Sequence, residues 1–332
     1  MNNIAGRLEK ETKFYSNMEK KLQDLPKIFS EYYTSMRANR KSYTTIGGYI
    51  NNVLHFANFV TNENITNDFY KNITSADVES YIISLETRET KNGIRRMGDD
   101  VLQMRWSSLN TFFSWLVKRG YIDNNPIIMV DRPKNQTEHK VTYLNKTEIS
   151  RLFKAVERNP NKEMSIRDMT LFNLAIATGL RASALLNINI EDIDFENGII
   201  NVIEKRKKVR EIAIGENVQI ILKEWIAVRN KKFEGVATTA LFVSNKKDRL
   251  SGEAANDALK EYCQKAGIQK HITLHKLRAS TATNLAAAKV DLQTIAYILG
   301  HGNTAVTLRY TAILDENKKN AKDILDNLTQ RR

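Results

Sequence analysis

Five short segments in the second half of the chain carry side chains suited to a single reaction. Arg181 lies in Thr178-Gly-Leu-Arg-Ala-Ser183, Lys205 opens the run Lys205-Arg-Lys-Lys208, and His275 and Arg278 share Leu274-His-Lys-Leu-Arg278. His301 closes Leu299-Gly-His301, 23 residues after Arg278, and Tyr310 follows nine residues later. A phosphodiester under nucleophilic attack gains negative charge on its non-bridging oxygens. Arg181 and Arg278 can offer planar, permanently charged donors to those oxygens, with His301 as a further donor. Tyr310 supplies a phenolic oxygen able to attack and form a covalent phosphotyrosyl link. A sugar oxygen leaves poorly unless protonated, and Lys205 is suited to be that general acid. His275 stands one helical turn before Arg278, on the same face, where it can hold the phosphate or accept the Tyr310 proton. The cationic side chains do the work a metal would do elsewhere, so no metal or other cofactor is expected.

Taken singly, each of these residues has a packing explanation. Tyr310 is one of 12 tyrosines, and a basic run is ordinarily a solvated loop tip. Taken together, in this order, the segments resemble the tyrosine recombinases, also called phage integrases. Aligning from Gly198, the resemblance matches Lys205 with that family's general acid and Arg210 with its second hairpin strand, leaving Lys207 and Lys208 as substitutes. It implies a mainly α fold with a small β-hairpin or sheet, in which a helical core-binding, SAM-like domain and a catalytic domain form a C-shaped clamp around duplex DNA. It implies site-specific recombination through a 3′-phosphotyrosyl intermediate and a Holliday junction, without ATP or metal, by a homotetramer of Xer-like protomers. Integration, excision, resolution and inversion all fit, as does an origin in a mobile element. Two positions depart from the pattern: Ala184 stands where an acidic residue is usual, and Ala279 where His is frequent. A regulator that binds DNA on the same fold without cutting is the rival that Ala184 keeps alive, and a relaxing enzyme of the type IB topoisomerase kind is a third reading.

The elements that must position these groups are legible as periodicity. Leu102, Trp106, Leu109, Phe113 and Leu116 step by four and three, as one face of a helix does, and so do Ile46, Ile50, Val53, Ala57 and Val60 after Ser42 and Thr44. Shorter patterns at 25–38 and 75–87 complete a four-helix bundle, and residues 1–24 read as an extra charged helix with little apolar face. Residues 131–142 contain Pro133, are polar and lack periodicity, the signature of a linker between a domain over 25–130 and another over 143–332. Beyond it, helices are expected at 146–158, 165–178, 216–230, 252–266, 275–288, 291–299, 303–310 and 315–328, with two β-type runs, 198–204 and 209–214, flanking the basic tip. In the family, a last helix such as 315–328 docks on the neighbouring protomer.

Composition bears on the partner class, although an anionic membrane surface would attract the same charge. The 332 residues carry 51 Lys and Arg against 38 Asp and Glu, a formal charge of +13, with +4 in residues 1–134 and +9 after them. Such an excess favours a polyanion such as double-stranded DNA. Arg40, Lys41, Arg95, Arg96 and Arg105 in the first half, with Lys207 and Lys208 at the hairpin tip, are the candidate phosphate contacts, Arg95 and Arg96 lying in the chain that leads into the long helix. One cysteine, Cys263, excludes a disulfide scaffold and reads as a small buried residue. His271 and His275, four apart, make a poor metal pair, because no Glu follows His271 and no carboxylate or Cys lies near. No apolar run is long enough to cross a bilayer and no signal peptide is visible, so a cytoplasmic protein with no membrane partner is expected.

Overall fold

The apolar stripes of the first half wind into helices whose ends are set by short polar side chains. A computed structural model of the chain describes residues 2–90, 93–134, 141–203, 209–236 and 238–300; of 2–10, 88–90 and 93–96 it describes the backbone. The chain divides into two compact units, with the boundary between His139 and Lys140.

The first unit contains α1 (Asn2–Gln23), α2 (Lys27–Ala38), α3 (Tyr43–Thr61), α4 (Ser75–Glu86), β1 (Thr87–Thr90), β2 (Gly93–Arg96) and α5 (Asp99–Lys118), then a 3₁₀ turn over Pro126–Met129. Ser42 caps α3 by accepting from the Thr45 amide, and Thr74 with Asp77 closes a reciprocal capping box on α4. Each such cap is worth about 1 kcal/mol. Ile46, Ile50, Val53 and Ala57 of α3 meet Leu102, Leu109, Phe113 and Leu116 of α5, all buried, in a core rich in aromatic rings. Phe56 lies edge-on to both Tyr81 and Phe113.

Two features of this unit differ from expectation. The first helix has a working apolar face: Met18 and Leu22 are buried and Phe14 and Tyr15 pack beside them. Gly47 makes room for it, since a Cβ there would stand 3.0 Å from the Phe14 ring. Among the charged residues between these positions, Glu19 pairs at 3.0 Å with Arg37 of α2, whose guanidinium covers the Tyr15 ring at 4.2 Å. Secondly, Arg95 and Arg96 stand in β2, hydrogen-bonded antiparallel to β1 with Arg88 opposite Arg95 and Thr87 opposite Arg96. The expected connection is therefore a hairpin. Its strands, Thr-Arg-Glu-Thr and Gly-Ile-Arg-Arg, have no apolar alternation to announce them.

The second unit contains α6 (Lys146–Glu157), α7 (Lys162–Thr178), the short α8 (Ala182–Leu186), β3 (Ile193–Asp194), β4 (Ile199–Ile203), β5 (Val209–Ala213), α9 (Glu216–Lys232), α10 (Gly252–Lys265), α11 (Leu274–Ala287) and α12 (Leu292–Leu299). The expected hairpin is β4–β5, in register from Ile199–Ala213 to Ile203–Val209, and β3 adds a third antiparallel strand beside β4. The fold is thus mainly α, with one three-stranded sheet and one two-stranded ribbon among the described residues. The sheet's inner face, with Ile200, Val202 and Ile212, joins a core that includes Leu171, Phe172, Trp225 and Phe242. Cys263 is buried there, which pushes its thiol pKa up to about 11 and leaves it protonated. Lys205, Lys207, Lys208, His301, Tyr310 and the helices expected at 303–310 and 315–328 lie outside the described residues. Among the described residues no helix is long and apolar enough to cross a membrane.

One buried polar pair makes the first unit's core testable. The Asn52 amide donates to Ser108 Oγ at 2.8 Å, and that hydroxyl donates to the Met104 carbonyl at 2.9 Å. Replacing Ser108 by Ala leaves the Asn52 amide without this acceptor, and urea unfolding is expected to show a loss of about 1–2 kcal/mol.

Candidate active site

The site is built where two helices end. The last turn of α7 closes on Gly179, which sits in the left-handed region at φ 58° and returns its amide to the Ala175 carbonyl. A Cβ at Gly179 would also lie 2.7 Å from Leu299 Cδ2, so the residue is fixed twice, by backbone conformation and by the closeness of α12. The chain then turns through buried Leu180 to Arg181, which occupies the N-cap position of α8.

On the other side, α12 starts after Asp291, whose side chain accepts from the Thr294 amide and whose pKa is lowered by hydrogen bonds from the Thr294 side chain and then from that amide. It ends at Leu299, with Gly300 in the left-handed region at φ 64°. Ile295 and Leu299 of α12 pack on Ala279, Ala282 and Ala286 of α11. The small side chain of Ala279, where the family often has His, belongs to this contact. Thr281 locks α11 to α7 by donating to the Ile176 carbonyl at 2.8 Å.

Between these ends lies Arg278, only 2% exposed. Its Nη1 donates to the Gly179 carbonyl at 2.8 Å and its Nη2 to the Leu299 carbonyl at 2.7 Å. Arg181 is half-buried, and its Nη2 donates to the Gly300 carbonyl at 3.3 Å. The structure therefore brings Arg181 and Arg278 to adjacent carbonyls at the end of α12, immediately before His301. The carbonyls at a helix C-terminus carry the negative end of its dipole, which offsets the repulsion between two guanidinium groups held so close. His275 is exposed in the first turn of α11, one turn before Arg278 as its spacing implies. Ala184 is buried in the apolar core, and Arg181 is anchored through the Gly300 carbonyl.

The DNA-contact candidates are spread over the first unit. Arg40 and Lys41 are exposed in the connection between α2 and α3, Arg95 and Arg96 stand in β2, and Arg105 is half-buried on α5. Arg105 lies beside the Tyr81 hydroxyl, where burial raises the Tyr81 pKa to about 12 against the pull of that cation. The same hydroxyl is 3.0 Å from His55 Nδ1. His271 is exposed, outside α11, and no group of three potential metal ligands occurs among the described residues.

Sequence reasoning assigned no role to Arg210, which donates from β5 to the carbonyls of Tyr297 and Ile298, both at 3.0 Å. One signal was present: it shares strand parity with buried Ile212 and so points to the inner face. It also missed Asp168, a fully buried carboxylate that binds Arg167 at 2.8 Å and the Tyr262 hydroxyl at 3.0 Å.

Gly179 offers a direct probe of how closely the two helix ends must approach. Gly179→Ala adds a side chain at positive φ and forces Leu299 aside, and urea unfolding is expected to show a loss of about 2 kcal/mol. An unchanged midpoint would mean that α12 does not rest on this residue.

Comparison with known proteins gives the family of the chain. The model of the phage integrase family matches residues 142–317. The chain is 31% identical to the tyrosine recombinase XerC of Alcanivorax borkumensis over 72% of its own length and 75% of that protein's, and 34% identical to XerC of Proteus mirabilis over 63% and 67%. Its fold is similar to that of the XerH site-specific recombinase solved on a palindromic difH substrate, with a TM-score of 0.70, 21% identity, and coverage of 87% of this chain and 82% of that one. The chain belongs to the phage integrase family and is a tyrosine recombinase.

Proposed function

We propose that this protein cuts and rejoins duplex DNA at a specific site through a tyrosyl intermediate, with the cationic residues around the end of α12 as its phosphate pocket. The observation that carries the assignment is the convergence of Arg181 and Arg278 on the adjacent carbonyls of Gly300 and Leu299. Two groups that can neutralise a phosphate come from different elements to one place, and the chain leaving that place carries His301 and then Tyr310. Arg181, Arg278 and His301 stabilise the charge that develops on the scissile phosphate. Tyr310 attacks, giving a 3′-phosphotyrosyl link and a free 5′-hydroxyl. Lys205 protonates the departing oxygen, and His275, exposed on α11, receives or relays the Tyr310 proton.

The phosphotyrosyl bond conserves the energy of the broken diester, so a 5′-hydroxyl from a partner duplex reverses the step without ATP. Two such exchanges pass through a Holliday junction and require four protomers, assembled through residues 315–328. Arg40, Lys41, Arg95, Arg96 and Arg105, with Lys207 and Lys208, neutralise DNA phosphates and position the duplex. The names of the relatives, recombinases of the Xer group, support a core-site recombinase of that kind, serving a chromosome, a plasmid or a mobile element inside the cell.

Covalent trapping tests the proposal. The protein and its Tyr310→Phe variant are incubated, in chelator, with labelled DNA from the flanks of the gene, nicked so that the cleaved fragment diffuses away. The expected outcome is a denaturation-resistant adduct with the native protein and none with the variant. Tight binding without an adduct would instead identify a regulator, and relaxation of plasmid by single protomers a relaxing enzyme.

A further inference from the structure

The end of α12 is held by more than the two arginines assigned to the phosphate. In β5, Val209, Glu211 and Ala213 are exposed while Ile212 is buried, so Arg210 points inward beside its cross-strand partner, buried Val202. From there a single nitrogen, Nη1, reaches both the Tyr297 and the Ile298 carbonyl at 3.0 Å. With Arg278 on Leu299 and Arg181 on Gly300, four consecutive carbonyls at the helix end each accept from an arginine. The three arginines come from the sheet, from α11 and from the start of α8. A helix C-terminus leaves its last carbonyls without intrahelical donors, and cations there are favoured by the dipole. Hydrogen bonding therefore accounts for the arrangement whether or not DNA is present.

The three arginines are not equivalent. In the recombination reading, Arg181 and Arg278 must face the scissile phosphate while they hold the helix end, which the five donors of each guanidinium allow. Arg210 has no part in that reading. It grips the helix one residue earlier, from the sheet, at two carbonyls that neither of the other two arginines binds. The Tyr297 carbonyl it binds also accepts from the Gly300 amide at 2.9 Å, so Arg210 bears on the turn that launches the chain towards His301.

We infer that Arg210 is a positioning residue, which fixes the C-terminal end of α12 against the sheet and thereby aims the segment that carries His301 and Tyr310 at the phosphate. The inference rests on the recombination reading for its consequence, but its geometry can be read without any reaction. Arginine suits the role because a planar guanidinium on a long stem spans from strand to helix while keeping its charge in a partly buried place.

The test uses the full chain and the variants Arg210→Ala and Arg210→Lys. In DNA-free protein, amide hydrogen exchange is followed in peptides spanning 292–300. Arg210→Ala is expected to speed exchange at Leu299 and Gly300 while amides of α9 and α10 keep their protection. With nicked DNA at saturation, the rate of adduct formation is expected to fall on the order of 10- to 100-fold, as for other small misplacements of reacting groups. The DNA dissociation constant should stay within about threefold, because the loss is one of orientation and not of binding. Arg210→Lys retains a cation near the carbonyls and should restore part of the rate; if Arg210→Ala proves too unstable to assay, the lysine variant carries the comparison with the native protein. Unchanged exchange in Arg210→Ala would overturn the geometric claim whatever the activity. Faster exchange with an undiminished adduct rate, or a rate that falls only as DNA binding falls, would overturn the positioning role. A native protein that forms no adduct would sink the recombination reading and the positioning role with it, while exchange would still decide whether Arg210 fixes the helix end.

Discussion

A buried guanidinium bridging the ends of two helices is the constraint on which the second unit's site depends. Arg278 spans from the Gly179 carbonyl at the end of α7 to the Leu299 carbonyl at the end of α12, at 2% exposure. Removing such a cation from water costs several kcal/mol, and only strong, well-aimed acceptors offset it. Two helix C-termini provide them, because their carbonyls lack internal donors and stand at the negative poles of their dipoles. Lysine could not repeat the arrangement, since a single ammonium on a flexible stem cannot bind two separated carbonyls in one plane.

Neighbouring features follow from that bridge. The ends of α7 and α12 must come close enough for one side chain to span them, which Gly179 permits by having no Cβ. The bed on which α12 lies is made of alanines, Ala279, Ala282 and Ala286, for the same reason. Arg181 and Arg210 then extend the pattern to the carbonyls on either side. Guanidinium groups this close would ordinarily repel one another, and here the helix ends hold them together; on the proposed reading Arg181 and Arg278 thus stand ready before substrate arrives. Such preorganisation is what makes electrostatic stabilisation effective, because little remains to be rearranged when charge develops. Ala184 fits the same picture: an acid at that position is one means of bracing the first arginine, and the Gly300 carbonyl gives Arg181 another anchor.

The sequence revealed the parts of this account that repeat along the chain and concealed those that join distant points. The stripes through Leu109 and Ile50 and the cap at Ser42 are local, and the helices they announce are present. Arg181, His275 and Arg278 could be picked out by type and spacing, and the family shared with XerC by their order. What those arginines bind was not legible, because a main-chain carbonyl has no signature in a sequence. Arg210 shows the limit well: its inward direction follows from the parity of β5, but its partners on α12 lie 87 and 88 residues away. The first helix was underrated because Phe14, Met18 and Leu22 are diluted by charged neighbours, and the β1–β2 ribbon was missed because nothing in it alternates.

The central claim, that Arg278 is a structural bridge before it is a phosphate ligand, is tested most directly by the unfolding free energy of Arg278→Lys in the full chain without DNA. Loss of two charge-assisted bonds to helix-end carbonyls should lower the stability of the transition that reports the second unit by about 2 kcal/mol or more. Were Arg278 kept only for substrate, its bonds to the two helix ends would carry no stability, and lysine, still a cation at that place, would leave the unfolding free energy unchanged. Stability equal to or above that of the native chain would contradict the account.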